Sequence, residues 1–196
     1  MKSTTGSYLL VSPIILVIIM AFTRVNHFGS AFSLPDASLA VFFLAGLCFS
    51  RLWFLVVLFF GAGVLDYWAI SPSNVSDFCL TPAYFCLIPT YTTMWLAGRY
   101  SKVFKSLHFI ESVKIFGLAA ITTLISFIIS NGSFYVWSGS FGELAWDKYV
   151  NQFNQYLPSY LSGTLGYIVI GLVAINIFKA TKILAVLELK IVKNTN

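Results

Sequence analysis

The chain has 196 residues, of which 58% are hydrophobic and only 10% are charged, and its mean hydropathy is +0.84. A soluble domain of this length needs far more polar surface, so the composition excludes an ordinary soluble protein and indicates an integral membrane protein. The formal net charge of +5 does not indicate a nucleic-acid partner, because the basic residues collect in loops on one side of the predicted membrane spans.

Long apolar runs predict an all-α fold of six transmembrane helices that form one domain over residues 1–196. The first apolar run resembles a signal peptide, but no small-residue cleavage site follows it, so we interpret it as a retained helix. In chain order, the predicted helices cover residues 8–23, 36–50, 52–70, 81–98 and 108–130, and a sixth helix starts near Ser159.

The Lys and Arg residues predict the orientation of these helices. Two of them, Arg24 and Lys148, lie in loops on one side, whereas nine lie on the other: Lys2, Arg51, Arg99, Lys102, Lys105, Lys179, Lys182, Lys190 and Lys193. This positive-inside bias predicts that both termini are cytoplasmic and that loops 24–35, 71–80 and 131–158 face outward. Aromatic residues at helical spacing in the last loop predict an amphipathic surface helix at the membrane interface.

Residues 77–86 place a thiol just ahead of a helix start. Thr81 is a favoured N-cap residue, and Pro82 suits the first helical position because its missing N–H needs no partner there. The positive end of the helix dipole favours the thiolate form of Cys79, although the neighbouring carboxylate of Asp77 opposes it. Cys79 is therefore the main candidate for chemistry.

Asp66 lies within the third predicted helix, where a carboxylate at membrane depth costs at least ~2.5 kcal/mol unless it faces a cavity or a partner. It is either part of a ligand pocket or an interfacial residue that reaches headgroup water. Tyr84, in the first turn of helix 4, either reaches an outer pocket or belongs to an interfacial aromatic belt. His27, in an outer loop, is a ligand contact, a switch near neutral pH or a solvated residue.

Other polar residues are interpreted as structural. Asp36 follows a proline at a helix start and is expected to cap it, and His108 borders the basic cytoplasmic loop. Glu111 and Lys114 are expected to pair at helical spacing. Cys48 and Cys86 are expected to be small apolar side chains, and three cysteines imply no disulfide framework. The sequence contains no nucleotide-binding loop and no paired-cysteine metal motif.

Four stretches, taken together in this order and spacing, resemble the BtuM family of small bacterial cobalamin transporters. They read HFGS at residues 27–30, LPDASLAVFFLAG at 34–46, DY at 66–67 and CLTPAY at 79–84. This family is related to the S components, the substrate-binding subunits of energy-coupling-factor (ECF) vitamin transporters. The resemblance covers the first half of the chain, to about Arg99, and beyond that only helix number and general character agree.

The resemblance implies uptake of cobalamin, vitamin B12, across the bacterial inner membrane. It implies that Cys79 ligates the cobalt from the lower face and removes the cyano group of cyanocobalamin, and that His27, Asp66 and Tyr84 line the substrate pocket. The outer loops 24–35, 71–80 and 131–158 are expected to form the substrate site, with the last of them as its lid. It implies no cofactor other than the cobalamin carried as substrate. The partners expected are cobalamin and the lipid bilayer, and no nucleic acid.

Helix 1 lacks the Ala-x-x-x-Ala face with which S components dock on a shared coupling module. Docking on an ECF-type module is therefore in doubt, and a solitary transporter is favoured. Two alternatives stay open. In the first, the chain is an S component for another vitamin, and Cys79 has no role in binding it. In the second, the chain is a membrane thiol oxidoreductase that uses Cys79 and Cys86.

Overall fold

The computed structural model describes residues 13–25, 34–49, 51–73, 82–103, 109–139, 141–142 and 144–195. Within these ranges the regular secondary structure is entirely helical, with six α-helices and no strand, so the predicted all-α class is confirmed. The helices are α1 (Pro13–Val25), α2 (Ser38–Cys48), α3 (Leu52–Ser73), α4 (Leu87–Tyr100), α5 (Phe109–Trp137) and α6 (Trp146–Thr195). Two short 3-10 helices, Pro82–Cys86 and Ser101–Val103, flank α4.

The predicted helix boundaries agree best in the first half of the chain. Helical structure before α4 begins at Pro82, as its preference for a first helical position predicts. Helix α3 continues to Ser73, so residues 71–73, which were expected in a loop, are helical. Helix α5 likewise continues past Ser130 to Trp137.

The prediction of a separate surface helix before helix 6 is wrong. The region from Trp146 onward is the continuous first part of α6, and Pro158 lies inside that helix rather than at its start. Aromatic packing on α5 continues across this position: Phe127 of α5 contacts Phe153 before the proline and Tyr160 after it, with ring centroids 5.1 and 4.8 Å apart. Because the residues on both sides of Pro158 pack on the same helix, α6 stays continuous although the proline removes one backbone hydrogen bond.

Helix α2 is the centre of the fold. Ten of its eleven residues are buried, and it contacts α1, α3, α4 and α6. A helix that is apolar on all sides is expected at the core rather than at a surface. Its most extensive contact is with the antiparallel α4, where Gly46 faces the Trp95 carbonyl and Gly98 faces the Phe43 carbonyl. A methyl group at either glycine would overlap the opposing backbone, so the two helices cross in direct main-chain contact.

Much of the outer surface is apolar. Two helical stretches, Ile110–Trp137 and Trp146–Phe178, are long and apolar enough to cross a bilayer. Only 33% and 22% of their most apolar segments are buried within the protein, whereas a core helix of a soluble protein is mostly covered. These two helices indicate membrane association.

Neither of the two cysteines in the described part of the chain forms a disulfide. Cys48 is buried at the end of α2, and Cys86 is half-buried just before α4. The predicted pair of Glu111 and Lys114 is confirmed, with 3.1 Å between Oε1 and Nζ.

Candidate ligand-binding site

A cavity of about 440 Å³ lies at one end of the helix bundle. The last turns of α1, the later part of α3 and the later part of α5 meet the beginnings of α2, α4 and the first half of α6 there. We name it the Arg24 cavity. It is lined by Arg24, Pro35, Asp36, Leu39, Asp66, Ala83, Tyr84, Leu87, Tyr91, Ser130, Phe134, Tyr156, Ser159, Tyr160, Gly163 and Thr164. The loops at this end are those predicted to face outward.

The floor of the cavity is a hydrogen-bonded charge cluster centred on Arg24. Its guanidinium binds the Asp66 carboxylate through two bonds, Nε to Oδ1 and Nη2 to Oδ2, the second of 2.6 Å. The Nη1 group donates to Ser38 Oγ at 2.8 Å and to the Tyr91 hydroxyl at 2.9 Å. It also lies 3.7 Å from Asp36 Oδ2. One side chain of α1 therefore joins α2, α3 and α4, and this two-pronged geometry suits arginine specifically.

The cluster is largely shielded from solvent. The side chains of Arg24 and Asp66 are 9% and 12% exposed. Charges removed from water are tolerated only when they are paired and their remaining polar atoms are satisfied. The cluster sets two carboxyl groups, Asp36 and Asp66, around a single guanidinium, so its cavity face favours hydrogen-bond donors of a ligand.

Tyr84 connects the 3-10 helix ahead of α4 to this cluster. Its hydroxyl donates to Asp66 Oδ2 at 2.6 Å, and the tyrosine lines the cavity. Asp66 and Tyr84 are 18 positions apart in the sequence, and the fold brings them into direct contact. The neighbours of Asp66, Tyr67 and Trp68, point outward and are exposed.

Asp36 combines a structural role with a place on the cavity wall. Its Oδ1 accepts hydrogen bonds from the backbone N–H of Ser38 at 2.9 Å and from the Ser38 hydroxyl at 2.6 Å. The expectation that Asp36 caps α2 is met only in part. The N-cap position is Ala37, and Asp36 binds the first helical N–H from one position earlier. The Ala37 N–H donates to Thr23 Oγ1 of α1 at 3.2 Å, which fastens the two helix ends together.

Two of the four predicted site residues, His27 and Cys79, lie outside the described residues. In the sequence Cys79 stands three positions before Pro82, and His27 stands three positions after Arg24. Among the residues that the structure describes, no three His, Cys, Asp or Glu side chains converge as a metal site.

Arg24 is the site residue that sequence reasoning missed. It was assigned to the outer loop 24–35, but it lies in α1 and is 7% exposed. The buried face of that helix runs through Leu16, Met20 and Thr23, and Arg24 extends it by one position. The sequence did contain a signal for this role. Asp36 and Asp66 need a cationic partner at membrane depth, and Arg24 is the arginine at the same predicted end of the helices.

A second cavity of about 870 Å³ adjoins the first between α5 and the first part of α6. We name it the amide cavity, because Asn131, Asn151, Gln152 and Gln155 line it, together with Lys148. The two cavities share four lining residues: Ser130, Phe134, Tyr156 and Tyr160. The shared residues make the two cavities direct neighbours, and we call them together the composite site.

No protein-family model matches the chain, and a comparison with curated proteins gives no significant match.

Proposed function

We propose that this chain is a multi-pass protein of the bacterial inner membrane that binds cobalamin in the composite site and mediates its uptake. Contact between Asp66 and Tyr84 in the wall of the Arg24 cavity carries the proposal. Both residues belong to stretches that resemble the BtuM family, and a shared pocket is what that resemblance requires of them. Cys79 belongs to the same stretch as Tyr84.

The size of the composite site supports a bulky ligand. Pockets for drug-sized molecules have volumes of roughly 300–1,000 Å³. The Arg24 cavity alone, at about 440 Å³, is small for a corrinoid, whereas the adjoining amide cavity adds about 870 Å³. Apolar and aromatic walls with a few polar groups suit a flat macrocycle with polar substituents.

Six membrane spans are supported by the distribution of charge along the bundle. Arg51, Arg99 and Lys102 lie at the end opposite the Arg24 cavity, where α2 passes to α3 and where α4 ends. Exposed apolar side chains cover the outer faces of α1 and α3, including Ile18, Phe60 and several others. A bilayer around these faces, with the basic end toward the cytoplasm, places the cavity on the outer side.

The chemistry proposed for Cys79 is a ligand substitution on the cobalt of the substrate. The substrate's own lower axial base dissociates from cobalt as a neutral ligand with its electron pair. The thiolate sulfur of Cys79 then takes that position, where a soft thiolate donates strongly. Its electron donation along the axis weakens the bond to the cyano group on the opposite face. Cyanide then leaves with the bonding electron pair, so the cobalt keeps its oxidation state and no external reductant takes part.

The visible spectrum of bound cobalamin tests this proposal. Purified protein mixed with cyanocobalamin should give a shifted spectrum and release cyanide, and Cys79→Ala should abolish both changes. Cys86→Ala is the matched control, since it removes a half-buried thiol seven positions away and should behave as the wild type. An unchanged spectrum and cyanide-release rate in Cys79→Ala would refute thiol ligation.

Growth tests the uptake function separately. A B12-dependent strain that lacks its own uptake system should grow on low cobalamin when it expresses only this chain. Failure to grow, together with a different small molecule found by mass spectrometry in the purified protein, would favour an S component for another vitamin.

A further inference from the structure

Two buried side-chain oxygens in the amide cavity have no hydrogen-bond partner among the described residues. They are Oδ1 of Asn131, near the end of α5, and Oε1 of Gln152, in the first part of α6. Both residues line the amide cavity, where Asn151 and Gln155 add two further carboxamides. The feature is therefore a cluster of amides around one space, with acceptors that the surrounding protein leaves unused.

An unused buried acceptor destabilises a protein by roughly 1–3 kcal/mol, and native structures contain few of them. The terminal torsions of Asn and Gln are broad, so a small rotation turns either oxygen toward the cavity. A ligand that brings N–H groups into this space would satisfy both oxygens, and its own carbonyls would accept from the N–H groups of the same amides. The group that offers both donors and an acceptor in this way is a primary carboxamide.

We propose that the amide cavity is the subsite that recognises peripheral primary carboxamides of the ligand, with Asn131 and Gln152 as the principal acceptors. This inference rests on the proposed function, because a corrinoid carries carboxamide arms around the rim of its macrocycle. The macrocycle then occupies the space toward Arg24 and Asp66, and part of its rim reaches across Tyr156 into the amide cavity.

The two cavities of the composite site would recognise different parts of the ligand, and this determines which ligands bind. The Arg24 cavity holds the charged and hydroxyl groups and includes Ala83 and Tyr84, which follow Cys79 in the sequence, whereas the amide cavity is built by α5, α6 and the residue Phe141 between them. Ligation by Cys79 selects for the metal, and the amide cavity selects for the substituents of the ring. A planar metal macrocycle without carboxamides, such as a metalloporphyrin with carboxylate arms, therefore binds poorly.

The experiment measures cyanocobalamin affinity for Gln152→Leu and Asn131→Leu, with Asn154→Leu as the matched control. Asn154 is exposed on the same helix turn as Gln152 and lines neither cavity. Each cavity variant should weaken binding roughly three- to tenfold, the effect of one net hydrogen bond. The thermal midpoint should stay equal or rise, because Leu removes an unsatisfied buried oxygen.

The outcomes separate this inference from the function on which it rests. If the wild type binds no cobalamin, the proposed function fails. If the wild type binds, and both cavity variants bind within twofold of Asn154→Leu, the carboxamide subsite is refuted while cobalamin binding stands. A loss of affinity that is accompanied by a lower thermal midpoint in both variants would mean that these amides only support the fold, and would also refute the subsite.

Discussion

Replacing Arg24 with Met tests whether the charge cluster holds the cavity end of the bundle together. Met keeps much of the aliphatic stem but removes every donor, so Asp66 retains only the Tyr84 hydroxyl as a described partner. Removing one partner of a buried ion pair typically costs about 3–5 kcal/mol, because the other charge stays buried without compensation. Both side chains here are about nine-tenths buried, so solvent screening reduces this figure little.

The expected thermal shift follows from the size of the chain. For a protein of 196 residues, 1 kcal/mol corresponds to roughly 2–4 °C in thermal midpoint, so Arg24→Met should lower it by about 6–20 °C. Tryptophan fluorescence during heating in detergent is a suitable assay, because Trp95 of α4 is almost fully buried. Lys114→Met is the control, since it breaks the ion pair with Glu111, in which the Lys114 side chain is 51% exposed. Its expected cost is about 0–1 kcal/mol.

A double variant distinguishes an unpaired charge from lost packing. In Arg24→Met/Asp66→Leu both charges are absent, so the shift should be smaller than the sum of the shifts of the two single variants. If Arg24→Met melts within 3 °C of Lys114→Met, the cluster does not hold the helices together. If the double variant shows simple additivity, then the two side chains are not energetically coupled, despite their hydrogen bonds.

Three further substitutions test the packing of the helices and the turn before α6. Gly98→Ala should destabilise the protein by about 1–3 kcal/mol, because the added methyl group overlaps the Phe43 carbonyl. Gly117→Ala should stabilise it by roughly 0.5–1 kcal/mol, since open space surrounds that helical glycine, and equal effects in thermal melts would contradict this account. The Tyr135 hydroxyl donates to the Ala145 carbonyl at 2.7 Å and accepts from its N–H at 2.9 Å. Tyr135→Phe should therefore speed amide exchange at the start of α6 about tenfold or more, and unchanged exchange would show that this tyrosine does not close the turn.

Features that depend on local sequence could be predicted. Apolar runs located the helices of the first half, the proline marked the beginning of helical structure at residue 82, and Glu111 and Lys114 pair because three positions on a helix bring side chains together. Asp36 binds the Ser38 N–H at the start of α2 for a similar reason, since the two residues are only two positions apart. In each case the interacting residues are only a few positions apart in the sequence.

Features that depend on distant partners could not be predicted. Arg24 is buried because Asp66 and Tyr91, 42 and 67 positions away, compensate its charge. The continuity of α6 through Pro158 depends on aromatic contacts with α5 rather than on its own helix propensity. Proline is correctly taken as a helix boundary on propensity alone, and here tertiary packing overrides it.

The contacts that hold neighbouring helices together differ between the two ends of the bundle. Away from the cavity, α2 and α4 meet backbone to backbone at Gly46 and Gly98, and this contact cannot be loosened without losing close packing. At the cavity, the helices are joined through the hydrogen bonds of Arg24, and a polar ligand offers equivalent hydrogen bonds in exchange. A ligand can compete for the hydrogen bonds of Arg24 but not for the backbone contact at Gly46 and Gly98. We therefore expect the helices to rearrange at the cavity end when a ligand binds, while the crossing of α2 and α4 stays unchanged.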